Sequence, residues 1–90
     1  MASMANLRND EAEQSILSAI FCKPDMIYEI QSTLKATDFY HASNQLIYMA
    51  MIELAVERVP IEIVSTIERL RKDGNLDKAG GVVQVTTVAN

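Results

Sequence analysis

A single cysteine, Cys22, leaves no internal disulfide available. With no export signal ahead of it, a lone thiol fits a reducing, cytoplasmic setting. A single histidine, His41, leaves no second imidazole and no thiol pair from which a zinc site could be built. Tryptophan is absent and aromatics make up only 6% of the chain, so Ile, Leu, Val and Met must fill the core. Basic residues are few and scattered: no cluster exceeds Arg69, Arg71 and Lys72, and the formal charge is -4. A domain that grips DNA by its phosphates carries a basic stripe, so strong direct DNA binding is disfavoured. No glycine-rich turn ends in Gly-Lys-Ser/Thr, and the pair Gly80-Gly81 marks a sharp backbone change rather than a phosphate loop. A Ser-His-Asp set, a Cys/His pair, a paired-cysteine motif and a dinucleotide fingerprint are likewise missing. The sequence therefore offers no catalytic, cofactor-binding or metal-ligating residue. Residues 1–8 lack the charged and apolar blocks of a signal peptide; they are expected to be a disordered start or a cloning remnant and carry no fold argument.

What is present is apolar residue at helical spacing. The chain is 49% apolar and 22% charged, the balance of a globular domain, and 90 residues support one modest core. The stretch Ser43 to Arg58 holds an apolar run from Leu46 to Ile52, then Leu54, Ala55 and Val56. A helix apolar over most of its circumference is buried on several sides, and this run is too short to span a membrane. It predicts a central helix at 43–58, capped by Ser43 and stopped before Pro60. Its polar track is Gln45, Glu53 and Glu57 with Met49 in the gap. Met49, Ile52 and Val56 flank that track and are expected to be covered by another helix of the same domain, with contact to a partner as the alternative.

The other elements follow from caps and periodicity. Asp10 and Glu13 have capping-box spacing and place negative charge at a helix start, so the acidic cluster is expected to be a solvated helix start. Ala12, Ile16, Ala19 and Ile20, with Leu17 beside them, form the apolar face that follows. Pro24 breaks this helix and suits the first turn of the next. Met26, Ile27, Ile30 and Leu34 predict a second helix of roughly ten residues. Thr37 and Asp38 start a single turn, Phe39 and Tyr40 tuck the connector onto the core, and His41 is a polar loop residue. After Pro60, Ile63, Val64, Ile67 and Leu70 form the buried face of a fourth helix, with Glu68 and Lys72 as a four-apart ion pair. Gly74 is its left-handed terminator. Residues 82–88 are rich in Val and Thr, which favours a strand. An isolated strand is unstable, however, and no second one is evident, so a final helix is expected. The prediction is an all-α fold: a small orthogonal bundle of about five helices around the central helix at 43–58.

Four segments in this order resemble the N-terminal domain of DnaB-type replicative DNA helicases. Glu11 to Ile20 looks like the family's EAEQSVLG-type opening. Asp38-Phe39-Tyr40 followed by Leu46-Ile47-Tyr48 resembles its DFY...H..IF block. Leu54 to Glu62 resembles its L...G.PID turn. Leu70 to Asp77, then Gly80-Gly81, resembles its L...G.L...GG ending. The resemblance covers residues 9 to 90. It departs at Asn44, near the family's His; at Glu62, where the family has Asp; and at Val82 to Val85, which replace a better helix former.

The resemblance implies a collar domain, residues 9–90, ending before the family's helical hairpin. The parent would be a homohexameric, ATP-dependent DNA helicase in DNA replication. Its ATP and Mg would sit in a motor domain outside this sequence. The collar would support ring assembly and engage primase and, in some systems, a helicase loader. It would do no catalysis of its own, bind no membrane and hold DNA weakly at most. The alternative is a free-standing helical adaptor or replication regulator that acts by protein–protein contacts. A small DNA-binding regulator is a third class, and the acidic balance speaks against it.

Overall fold

A computed structural model describes residues 10–90; the expectation for residues 1–8 lies outside them. Five α-helices follow one another: α1 (Asp10–Cys22), α2 (Ile27–Ile30), α3 (Ala42–Val56), α4 (Ile63–Lys72) and α5 (Gly81–Ala89). Short 3-10 turns at Pro24–Met26 and Ala36–Asp38 complete the described secondary structure. Helix α3 packs against α1, α2, α4 and the second 3-10 turn, while α5 packs against both α1 and α4. The central helix is thus wrapped by its neighbours, and Ile47, Tyr48, Met51 and Leu54 lie at the middle of one continuous core.

Helix α2 is shorter than predicted. Pro24 opens a 3-10 turn, as its fixed φ and missing N–H suit, and only Ile27–Ile30 is α-helical. The chain then turns so that Leu34 is buried and its carbonyl accepts a 2.7 Å bond from the Tyr48 hydroxyl. Phe39 closes that corner, its ring 5.1 Å from the Tyr48 ring. Tyr40, expected beside Phe39 in the core, is instead 60% exposed. Successive residues of an extended connector point to opposite sides, so only one of the pair can face inward.

The buried faces of α1 and α4 are rotated from those predicted. On α1 the fully buried residues are Glu13, Leu17 and Ile20, at i, i+4 and i+7. On α4 the stripe Ile63, Thr66, Ile67 and Leu70 faces inward, and Val64 is 68% exposed. Val64 lies roughly 100° around the helix from Ile63, too far to share the face. Glu68 pairs with Arg71 at 3.1 Å rather than with Lys72.

Helix α5 overrides the strand propensity of its residues. Val85 and Val88 are buried against α1 and α4, and this burial outweighs a helix-propensity penalty of a few tenths of a kcal/mol per β-branched residue. The Thr86 hydroxyl donates to the Val82 carbonyl and the Thr87 hydroxyl to the Val83 carbonyl, one turn back. Gly80 precedes the helix at φ 98°, and a Cβ there would lie 2.5 Å from that of Gln84. The turn therefore needs glycine twice over, for φ and for space.

Candidate functional site

The acidic helix start is where the structure departs furthest from expectation. Glu13 is fully buried, not solvated. Its carboxylate accepts 2.7 Å bonds from the Tyr40 backbone N–H and from the Asn44 side-chain amide, and a 3.4 Å bond from the His41 N–H. His41 is the N-cap residue, immediately before α3. A carboxylate from α1 therefore sits at the positive end of the central helix, where dipole and free N–H groups both favour an anion. This corrects two expectations. Ser43 is not the cap, because the N-cap position falls on His41, two residues before it, and the charge that satisfies this end arrives from another helix. Glu13 is not part of a solvated helix start, because its oxygens accept from the connector and from α3. His41 is half-buried, and its ring meets that of Tyr40 edge-on at 5.2 Å.

The other end of α3 is closed by backbone. Val59 N–H donates to the Leu54 carbonyl at 2.9 Å and Arg58 N–H to that of Ala55 at 3.1 Å, the paired bonds of a Schellman turn. Arg58 takes φ 61°, the one non-glycine at positive φ among the described residues. The helix thus ends at Val56, two residues short of the predicted 58. From α4, Arg69 reaches back to Glu57 and lies 3.7 Å from Glu53. Burial, then a hydrogen bond and charge repulsion from Asp73, push the Glu53 carboxyl above its ordinary range, against the pull of Arg69.

Beside this end lies an open groove of about 570 Å³. One wall is Lys23, Pro24, Asp25 and Tyr28 from the start of α2. The other is Arg58 to Glu62, between α3 and α4, and Ala55 forms part of the floor. The Tyr28 hydroxyl reaches the Ala55 carbonyl at 3.4 Å. Of the α3 residues flanking the polar track, Ile52 packs on the core, but Met49 and Val56 are exposed. The described helices leave those two outside the core, against the expectation that another helix of the domain covers them.

No group of three or more His, Cys, Asp or Glu among the described residues could hold a metal ion. Cys22 is exposed. No helix among the described residues is long and apolar enough to cross a membrane. What the geometry offers is a small helical domain with one polar clamp in its core and one apolar, charge-rimmed groove on its surface.

That class is an all-α domain with a single packed core. The model of the DnaB-like helicase N-terminal domain family matches residues 5–90, and this chain belongs to that family. A replicative DNA helicase, DnaC, of Bacillus subtilis is 36% identical over 83 residues, covering 92% of this chain and 18% of that protein. The replicative DNA helicase DnaB of Geobacillus stearothermophilus is 32% identical over 80 residues, covering 89% of this chain and again 18% of the relative. The chain thus spans under a fifth of the length of these relatives. It matches only their N-terminal domain, and their catalytic motor lies elsewhere in their chains. The crystal structure of the N-terminal domain of DnaB helicase from Mycobacterium tuberculosis superposes with a TM-score of 0.84 at 28% identity. It covers 91% of this chain and 57% of that one.

In the resemblance drawn from sequence, Glu13 belongs to the first motif and Asp38 to Tyr48 to the second. The clamp shows why two segments so far apart belong together: one carboxylate joins them. Asn44, near the family's His, donates to Glu13 with its amide, and its Oδ1 has no partner.

Proposed function

We propose that this chain is the non-catalytic collar domain of a hexameric replicative DNA helicase. It supports ring assembly in the cytoplasm and serves as a contact point for primase and, where one operates, a helicase loader. Residues 9–90 form one such domain in this reading. ATP and Mg then belong to the motor domain of the assembled protein, and contact with DNA is left to that motor. The reading is carried by the match of nearly the whole chain to the N-terminal domain of replicative helicases. It is supported by an architecture in which buried polar chemistry is spent on joining helices rather than on building a pocket.

The test is titration of the pure chain against primase from the same source, followed calorimetrically, alongside duplex DNA at low salt and an ATP-turnover assay. Saturable primase binding is expected, with negligible DNA affinity and no turnover. Tight DNA binding that weakens steeply with salt would replace this reading with a direct nucleic-acid role.

A further inference from the structure

We propose that the solvent-facing side of α3, with Met49, Ile52 and Val56 in a row and Glu53 and Glu57 along one edge, docks a basic amphipathic helix from a partner protein. This rests on the contact role proposed above and gives it a surface and a partner chemistry.

Met49, Ile52 and Val56 stand at i, i+3 and i+7, the spacing at which one helix anchors another. Met49 is 43% exposed and Val56 73% exposed, with Ile52 half-buried between them. The buried residues of the helix, Ile47, Met51, Leu54 and Ala55 among them, lie on its other side, so Met49 and Val56 add nothing to the core. A flexible methionine suits a contact that forms and parts.

The edge of this row holds more anions than cations. Glu53 and Glu57, one turn apart, share a single guanidinium, that of Arg69 from α4. Asp73, one turn beyond Arg69, brings another carboxylate to Glu53. Three carboxylates therefore gather round one cation. Fold stability does not account for this. Burial and the repulsion from Asp73 make the charged form of Glu53 oppose folding, and a neutral amide in its place would remove that opposition. Positions that give up stability in this way mark functional surfaces.

The charge then selects the occupant. Nucleic acid or an anionic membrane would add phosphates to an edge already short of cations. A second copy would bring the same excess of anions to the contact. A helix with an apolar stripe and a lysine or arginine beside it meets both features. Its stripe covers Met49, Ile52 and Val56, and its cation faces Glu53 and Asp73.

The probe is a synthetic leucine–lysine amphipathic peptide of about 18 residues, long enough to hold helical form. A copy with glutamate at every lysine position is the control. Each is titrated into the isotope-labelled 90-residue chain, and binding is read from backbone amide chemical shifts. The basic peptide should bind saturably with a dissociation constant of about 10–500 µM, with shifts centred on residues 45–57 and 69–73. The acidic copy should not bind. Met49→Ser and Glu53→Gln should each weaken binding about fivefold or more, whereas Val64→Ser, at an exposed apolar residue of α4, should leave it unchanged. Glu53→Gln should also keep or raise the melting temperature, a combination that a purely structural role for the carboxylate would not produce. Val56→Ser replaces Met49→Ser should that variant fail to fold, as judged by helical circular dichroism. Absence of saturable binding, equal binding of the acidic copy, shifts centred elsewhere, or variants that bind like the parent would each overturn the proposal. Primase binding is measured separately. It survives if only this surface is misassigned, and its absence falls on the collar reading while the peptide result stands.

Discussion

The two ends of helix α3 are held by opposite strategies. At its start, a buried carboxylate from α1 is shared among groups 27, 28 and 31 residues away in sequence. At its end, two local backbone bonds close a turn around a left-handed arginine, and the ion pairs from Arg69 are partly exposed. The first arrangement ties α1 to the start of α3, because Glu13 and its three donors are satisfied together only when the two segments meet. The second leaves charge and apolar surface turned outward, beside the groove. The difference places a buried, long-range contact at one end of the helix and a locally closed, solvent-facing one at the other.

Breaking the first end should have the largest effect. Glu13→Ala would strand the Asn44 amide and two backbone N–H groups in a buried site, at a cost of about 3 kcal/mol or more. For a domain of this size that is a fall in Tm of more than about 10 °C in a thermal melt. Glu13→Gln keeps an acceptor but adds a donor where only donors converge, so it should recover part of the loss and no more. A melting temperature unchanged by Glu13→Ala would show that this end is held by apolar packing alone.

Tyr48, between the two ends, supplies the next effect and gives it a pH signature. Burial, and secondarily the charge of Asp38, push its hydroxyl up to about 12. The folded pKa lies above the unfolded value near 10, so the stabilising contribution is complete below pH ~10 and is lost as pH rises through ~12. Tyr48→Phe strands the Leu34 carbonyl and should cost about 1–2 kcal/mol at neutral pH. It should also remove most of the alkaline fall in stability over that window, read from urea midpoints at stepped pH. A variant whose alkaline fall matches that of the parent would place the titrating group elsewhere.

The asymmetry between the ends also explains what was legible in the sequence. Helix number, the central position of 43–58, the Pro24 break and the Gly74 stop all rest on local chemistry, and the structure keeps them with α3 two residues shorter at its end. The faces of α1 and α4 were misjudged because periodicity counts apolar residues, and the true stripes run through Glu13 and Thr66. A buried carboxylate cannot be told from a solvated one until its donors are known, and those lie in another motif. One signal was available: the glycine position of the family turn L...G.PID falls on Arg58, the residue found at φ 61°. The groove had no local signature at all, since its walls, Lys23 to Tyr28 and Arg58 to Glu62, come from segments far apart in sequence.

Arg58 and Gly74 sharpen the comparison, because both occupy the left-handed position of the same turn, at φ 61° and 75°. The Gly74 and Asn75 N–H groups repeat the bonds made by Arg58 and Val59. Arg58→Gly should raise stability by about 0.5–1 kcal/mol, as relief of the left-handed penalty exceeds the added entropy of the unfolded chain. The reciprocal Gly74→Ala should lower it by about 1 kcal/mol from backbone strain alone, since a Cβ there meets nothing within 4 Å.

The smallest effect belongs to Arg69. Its ion pairs join α4 to the exposed end of α3, and both carboxylates are 40% or more exposed. Solvent screening holds Arg69→Gln to a loss of at most about 1 kcal/mol. The pH dependence carries the information. Glu53 is already pushed up by burial and by Asp73, so its protonated form is favoured in the folded state and its charged form opposes folding. Removing Arg69 takes away the one charge that lowers it. The variant should therefore match the parent in acid, where Glu53 is protonated in both, and fall behind as pH rises through the raised carboxyl range. Added salt should narrow the gap. A loss independent of both pH and salt would mean that the arginine acts through its packed stem, and that this end of α3 is held by apolar contact more than by charge.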